Sequence, residues 1–273
     1  MHVAHGARRV AVAWCLAVMA AGALVSGQAQ TAEFEPQVGQ AGKDVVWVPT
    51  PQELVDQMLK MAEVTASDYV IDLGSGDGRT VISAAKLGAR AKGVEFNPDM
   101  VALSRRNAAT AGVSARATFD EGDLFEADLS GASVITLFLL PDMNLRLRPS
   151  LLAMPPGTRI VANTFSMDDW APDETYRVPD CPSWCTALLW IVPARAEGTW
   201  KLPQGELTLT QTFQMVSGTL RSGSTSTSVS GKLKGDAITF SGGGVEYTGR
   251  VNGDTMTGTA SRGGGWTATR TGQ

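Results

Sequence analysis

Between Trp47 and about Ala194, short apolar runs alternate with segments whose apolar residues recur every three or four positions. Residues Pro51 to Val64 place Leu54, Val55, Met58, Leu59 and Ala62 on one face of a helix, with Thr50 as N-cap and Pro51 at the first helical position. The pattern then predicts strands at Tyr69 to Leu73, Lys92 to Glu95, Ala115 to Phe119, Val134 to Leu139, Arg159 to Thr164 and Ala187 to Val192. Helices fit between them at Arg79 to Leu87, Pro98 to Ala111 and Leu145 to Leu152, and Gly88 and Gly112 stand where a helix C-terminus favours glycine. Strands alternating with helices predict an α/β domain, a parallel sheet with helices on both faces.

After Pro193 the period changes. From Gly198 the chain is rich in Gly, Ser and Thr and alternates every second residue, as in LTLTQTFQMV and VEYTGRVNGDTMTGTA. Asn252-Gly253 and Gly235-Asp236 are hairpin turn signals. The expectation is a small antiparallel β-barrel or sandwich of roughly six to eight strands, from the usual spacing of one strand per 8 to 12 residues. Trp200 and Trp266 suit its core, with ligand stacking as the alternative, and the SGSTSTS stretch suits an exposed loop or edge strand.

Composition leaves room for both parts: 273 residues, 43% hydrophobic and 18% charged. The net charge of -4 gives no electrostatic footprint for nucleic acid. At the N-terminus, Arg8 and Arg9 precede an apolar run from Val10 to Val25, and small residues at Gly27 and Ala29 follow. That order predicts a signal peptide over 1–29, a linker over 30–46 and a periplasmic or secreted body with no stable membrane span; the alternative is an uncleaved N-terminal helix acting as an anchor. The two domains then run 47–195 and 196–273. Cys181 and Cys185, in DCPSWCT, could close a short disulfide in an oxidising compartment. Free thiols are the second reading. A metal site is the third, since both histidines, His2 and His5, fall in the predicted leader.

The stretch VIDLGSGDGRT, Val70 to Thr80, carries the chemistry. An apolar strand runs into Gly74, Gly76 and Gly78 and then a helix N-terminus, so backbone N–H groups face a ligand without intervening side chains. A dinucleotide fingerprint would place its third glycine where Arg79 stands, and Asp72 and Asp77 put negative charge where a pyrophosphate would lie. A ligand with a positive centre and an ammonium group suits the place better. Glu95 ends the second strand, where a carboxylate can accept both hydroxyls of a ribose, and Asp123 follows the third, placed to accept from an exocyclic amine.

Over about Trp47 to Ala194 this constellation resembles the class I S-adenosylmethionine-dependent methyltransferases, through VIDLGSGDG, VEFN and GDLF. The resemblance implies a Rossmann-like methyltransferase sheet and S-adenosylmethionine as cofactor. It implies contacts from Asp72 and the loop Gly74, Ser75, Gly76 and Gly78 to the methionine moiety and ribose. It also implies Glu95 on the ribose hydroxyls, Phe96 on the adenine face, and Asp123 with Leu124 at the adenine. More narrowly, WVPTPQELVDQML, the run from DLGSGDGRT to SRRNA, and TLFLLP with LRP and DDWAPD resemble the lysine methyltransferases of the ATP synthase c subunit and the adenine nucleotide translocase, together with their bacterial relatives. A protein substrate is implied, with no nucleic acid.

The WVPTP segment could form a lip over the methionine end, with Trp47, Pro49 and Thr50 facing cofactor and substrate. Many amine methyltransferases carry Asn or Asp at the end of the fourth strand, whereas this chain reads LFLLPDMN. Backbone carbonyls of Leu139 and Leu140, next to Pro141, could orient the amine, with Asp142 or Asn144 nearby, and no catalytic base is singled out. Trp170 is a candidate for the substrate channel, or else a packing residue. A binding protein without turnover, or an envelope interaction protein using the β-rich C-terminal part, is the competing class.

Overall fold

Apolar spacing makes α1 (Gln52–Met61) amphipathic, and it buries Leu54, Val55, Met58, Leu59 and Met61. These features belong to a computed structural model that describes residues 1–3 and 34–272, of which Phe34 onward forms one unit. Apart from its first three residues, the expected leader lies outside the described residues. Pro51, not Thr50, is the N-cap residue of α1, and no side chain caps it. The Thr50 hydroxyl is engaged elsewhere: it accepts from Asn163 Nδ2 at 3.3 Å.

The sheet strands are β1 (Tyr69–Leu73), β2 (Arg90–Glu95), β3 (Ala117–Glu121), β4 (Val134–Leu137), β5 (Arg159–Asn163), β6 (Glu174–Arg177) and β7 (Thr186–Ile191). They lie in the order β3-β2-β1-β4-β5-β7-β6. The first five in that order are parallel, and the pairings of β7 with β5 and with β6 are antiparallel. The expected parallel direction of the last long strand is thus reversed, because a hairpin through β6 replaces the crossover helix that a parallel return needs. All four residues of β6 are exposed, so it has no apolar period to read.

Helices α2 (Arg79–Lys86), α3 (Pro98–Thr110) and α4 (Pro141–Leu152) complete the layer structure. Leu54, Leu59, Val81, Ala85 and Val101 share one buried layer with Val70, Val134 and Val161. On the other face, Met143, Leu147, Leu151 and Trp170 pack against Ile71, Ile135, Ile160 and Trp190. Such burial on both faces is why the central strands read as near-continuous apolar runs. β4 stops at Leu137 and α4 starts at Pro141, four residues before the predicted Leu145, since proline's fixed φ suits the first helical turn. Residues 138–140 are thereby freed to form a loop.

The C-terminal part is a closed eight-stranded barrel: β8 (Gly198–Leu202), β9 (Gly205–Thr212), β10 (Met215–Ser222), β11 (Thr225–Lys234), β12 (Ala237–Gly242), β13 (Val245–Asn252), β14 (Thr255–Ala260) and β15 (Gly264–Gly272). Each strand pairs with the next, and β15 closes on β8, which leaves no open edge. Trp200 and Trp266 are core residues, Trp200 fully buried with its Nε1 donating to Ala196 O at 2.9 Å. Trp266 packs edge-on against Phe240 and Tyr247, which stack with centroids 4.7 Å apart. The β13–β14 turn falls on Gly253-Asp254, one residue later than expected, with Gly253 at φ +57°. Among the described residues, no helix is long and apolar enough to cross a membrane.

Candidate functional site

A cavity opens at the C-terminal ends of the parallel strands, floored by the glycine loop. Gly74 and Ser75 donate their N–H groups to Val94 O at 2.9 and 3.1 Å, which ties the loop to β2. Gly76 lies at φ +54°, and a Cβ there would stand 2.6 Å from Trp47 Nε1, so only glycine lets the lip close over the loop. Gly78 lies at φ +81° but faces the other way: a Cβ would meet the Phe119 ring at 2.8 Å and Ser104 Cβ at 2.9 Å. It packs the loop against α3 and does not line the cavity. From α3, Ser104 Oγ donates to Gly76 O at 2.8 Å and Asn107 Nδ2 to Asp77 O at 2.9 Å.

Asp77 is paired with Arg79 at 2.6 Å, and Arg79 also donates to Thr50 O at 2.8 Å. Its charge therefore clamps the lip rather than facing the cavity unpaired. Asp72 is different. It is buried at the end of β1 and accepts from Thr136 Oγ1 at 2.6 Å. Burial pushes its carboxyl up to about 7; the charges of Glu95 and Asp77 add to the rise, and the hydroxyls of Thr136 and Thr80 oppose it. A cationic group entering the cavity would relieve this cost.

Glu95 accepts from Gly76 N–H at 2.9 Å through Oε2 and from Asn97 N–H at 3.0 Å through Oε1, which fixes its carboxylate at the end of β2. Asn97 caps α3 by accepting from Asp99 N–H at 2.9 Å. Phe96 is 51% exposed, an open ring face at the cavity edge. Asp123 caps the short 3-10 turn Leu124–Glu126 through Phe125 N–H, and Leu124 adds an apolar wall. Lys43 reaches across to Asp123 at 2.6 Å, with its ammonium 4.9 Å from the Phe96 ring centroid. The Lys43 hydrogen bond holds the Asp123 carboxyl below the usual range, and Asp123 in turn raises Lys43.

Beyond the glycine loop, the lining passes to Trp47, Pro49 and Thr50 on the lip, then to Leu137, Phe138, Leu139, Leu140, Met143, Phe165 and Trp184. The residues that β4, β5 and the segment before β7 bring to this end carry no ionisable side chain. Pro141 and Trp170 do not line the cavity. Pro141 opens α4, and Trp170 is fully buried, stacked on Phe213 at 5.8 Å and tilted against Trp190 at 6.2 Å. Asn144 is buried and donates to Phe165 O at 3.1 Å, and Asp142 is exposed, so neither stands in for the missing polar residue of the fourth strand. Cys181 and Cys185 form a disulfide.

The structure thus brings together at one cavity Asp72, Gly74, Ser75, Gly76, Glu95, Phe96, Asp123, Leu124, Trp47, Pro49, Thr50, Leu139 and Leu140. It adds Lys43, Phe138, Phe165 and Trp184. Residues 40–46, expected as linker, are part of the wall. Their sequence has no period, and a fold-back places them there: Trp47 N–H donates to Gln40 O at 2.9 Å, Gly39 N–H donates to Trp47 O at 2.8 Å, and Lys43 pairs with Asp123.

The ANTKMT methyltransferase domain model matches residues 72–174. The chain is 40% identical over 151 residues to a protein-lysine N-methyltransferase of Saccharolobus islandicus, covering 54% of this chain and 94% of that protein. It is 36% identical over 157 residues to the Rattus norvegicus lysine N-methyltransferase of the ATP synthase c subunit, covering 56% of this chain and 71% of that one. A solved structure of an RNA methyltransferase from Salinibacter ruber, in complex with S-adenosyl-L-homocysteine, shares 47% identity at a TM-score of 0.52, over 54% of this chain and 95% of that one.

Proposed function

The chain belongs to the protein-lysine N-methyltransferase family of S-adenosylmethionine-dependent enzymes, and from that premise we propose that it methylates the side-chain amine of a protein lysine. The observation that carries the reading is the shape of the cavity: acidic and glycine-lined on one side, apolar and free of ionisable side chains beyond it. The residues present fit the cofactor. Asp72 is a buried carboxylate held by the hydroxyls of Thr136 and Thr80, which suits an ammonium group, and Gly74 and Gly76 line the cavity without side chains of their own. Glu95 is held to receive the ribose hydroxyls, Phe96 offers a ring to the adenine, and Asp123 offers an acceptor to its amine.

When bound, S-adenosylmethionine supplies an electrophilic methyl group on a cationic sulfur. The chain's own part is to bind, align and dry. Trp47, Pro49 and Thr50 close over the loop, Leu139 and Leu140 present the fourth-strand end, and the apolar surroundings keep water away from the reacting amine. Mass spectrometry of envelope proteins from cells with and without this chain, beside transfer of a radiolabelled methyl group to the same extract, tests the reading. Labelled lysine supports it; tight S-adenosylhomocysteine binding with no transfer to any protein favours a binding protein. RNA belongs in the same assay as an acceptor because of the Salinibacter neighbour, although the net charge of -4 argues against it.

Export is part of the proposal. It is supported by the arginines and apolar run of residues 8–25 and by the Cys181–Cys185 disulfide, a bond that persists in oxidising compartments. Protease accessibility of the chain in intact and osmotically shocked cells checks it.

A further inference from the structure

Three aromatic rings meet at the apolar end of the cavity, each from a different place in the chain. Phe138 follows β4, Phe165 follows β5 and Trp184 precedes β7. Their centroids stand 6.2 Å (Phe138 to Phe165), 6.0 Å (Phe138 to Trp184) and 5.4 Å (Phe165 to Trp184) apart. Trp184 is 40% exposed, so burial does not explain it. Its backbone lies at φ +58°, and Asp180 at +54° and Thr164, just before Phe165, at +61° share that region. Left-handed backbone at non-glycine residues is held only where the surroundings impose it. Here the disulfide closes the loop around Trp184, with Cys185 buried, and Thr164 N–H donates to Thr186 O at 2.6 Å.

The sheet order tells which end this is. Asp123, Glu95 and the glycine loop follow β3, β2 and β1, whereas the rings belong to β4, β5 and β7 on the other side. We propose that Phe138, Phe165 and Trp184 form the subsite for the acceptor's alkylammonium group, and that the Cys181–Cys185 disulfide holds Trp184 in it. The inference rests on the lysine reading above. A ring face attracts an ammonium ion whether or not its nitrogen carries methyl groups. With no carboxylate among the residues of this end, the rings alone supply that attraction. The subsite therefore receives the charged lysine before its proton is lost to water, and retains mono- and dimethylated lysine, which stay charged, for further rounds.

The probes are the N-acetyl amide of trimethyllysine and its neutral carbon isostere, titrated by NMR into the full chain saturated with S-adenosylhomocysteine. The cation should bind about tenfold tighter than the isostere. Trp184→Ala should abolish that preference with S-adenosylhomocysteine affinity unchanged, Trp184→Phe should keep part of it, and the Cys181→Ser/Cys185→Ser double variant should lose it as the alanine variant does. Equal binding of cation and isostere by the wild type, or a preference that survives Trp184→Ala, overturns the subsite. A preference that survives the double variant overturns the role of the disulfide. Trimethyllysine binding as expected, with no lysine ever methylated, leaves the subsite standing and removes the lysine reading instead.

Discussion

Asp72 is the residue at which fold stability and ligand binding oppose each other. Its folded-state value of about 7 lies above the ordinary 3.8 because it is buried. Between about pH 4 and 7, then, the empty folded protein keeps a proton that the unfolded chain has released, and stability falls as pH rises through that window and levels off above it. Ionising the folded group fully costs about 4 kcal/mol, from about three pKa units at 1.36 kcal/mol each. Between pH 5 and pH 8 the share lost is about 2.5 kcal/mol, because part of the cost is already incurred below pH 5.

Asp72→Asn keeps an acceptor for Thr136 Oγ1 and cannot ionise, so it should gain about 2.5 kcal/mol relative to wild type between those two pH values, read by urea unfolding of the ligand-free proteins. The same charge should serve the ligand. Wild-type affinity for S-adenosylhomocysteine, which carries an ammonium group, should fall by up to about tenfold per pH unit below 7, and that of Asp72→Asn should be nearly flat. If the stability difference between the two proteins is the same at pH 5 and pH 8, the buried carboxylate does not titrate as described and the argument fails.

Glu95→Ala should weaken S-adenosylhomocysteine binding by roughly 1.5 to 3 kcal/mol, measured by calorimetry; unchanged affinity would remove the ribose assignment. Lys43→Ala should free Asp123 and tighten the same ligand a few-fold at low salt, an advantage that disappears as salt screens the exposed pair in wild type. Gly78→Ala should lower folding stability by at least about 2 kcal/mol, since it forces a Cβ against Phe119 and Ser104 at a left-handed φ; a shift below about 0.5 kcal/mol would contradict the packing.

Much of the sheet was legible because β1 and β4 are buried on both faces and their apolar runs leave no other reading. The glycine loop, Glu95 and Asp123 could be found because they sit at strand ends, at predictable distances from those runs. Gly78 shows the limit: spacing identifies a glycine, yet cannot tell clearance for a ligand from clearance for Phe119. For Trp170 the choice between channel and packing stayed open for a similar reason, since its partners Trp190 and Phe213 come from β7 and from a barrel turn, contacts that no local pattern encodes. Lys43 and Trp184 were out of reach for a related reason. Each is placed by an irregular segment whose course depends on a fold-back or a disulfide rather than on periodicity.

The barrel bears on function through where it is fixed. None of its residues lines the cavity, so it adds neither a cofactor contact nor a lid. Yet it is not a module on a loose tether. The Gln211 side chain accepts from Ala196 N–H at 2.7 Å and donates to Ala194 O at 3.0 Å, Ala194 N–H donates to Gly235 O at 2.8 Å, and Arg270 donates to Arg195 O at 2.7 Å, so the connection between the two parts is held along its length. Phe213 stacks on Trp170, Gln214 Nε2 donates to Ala171 O at 2.7 Å, and Lys232 pairs with the buried carboxylate of Asp173 at 2.9 Å. Gly235 comes so close to Gly157, just before β5, that a Cβ would lie 3.1 Å from its Cα. That contact is at the end of β5 opposite the cavity. A barrel fixed there holds its outer surface at a constant position relative to the aromatic end of the site. Any influence it has on methyl transfer must come from positioning a large acceptor, and a free lysine derivative should react no differently whether the barrel's outer surface is altered or intact.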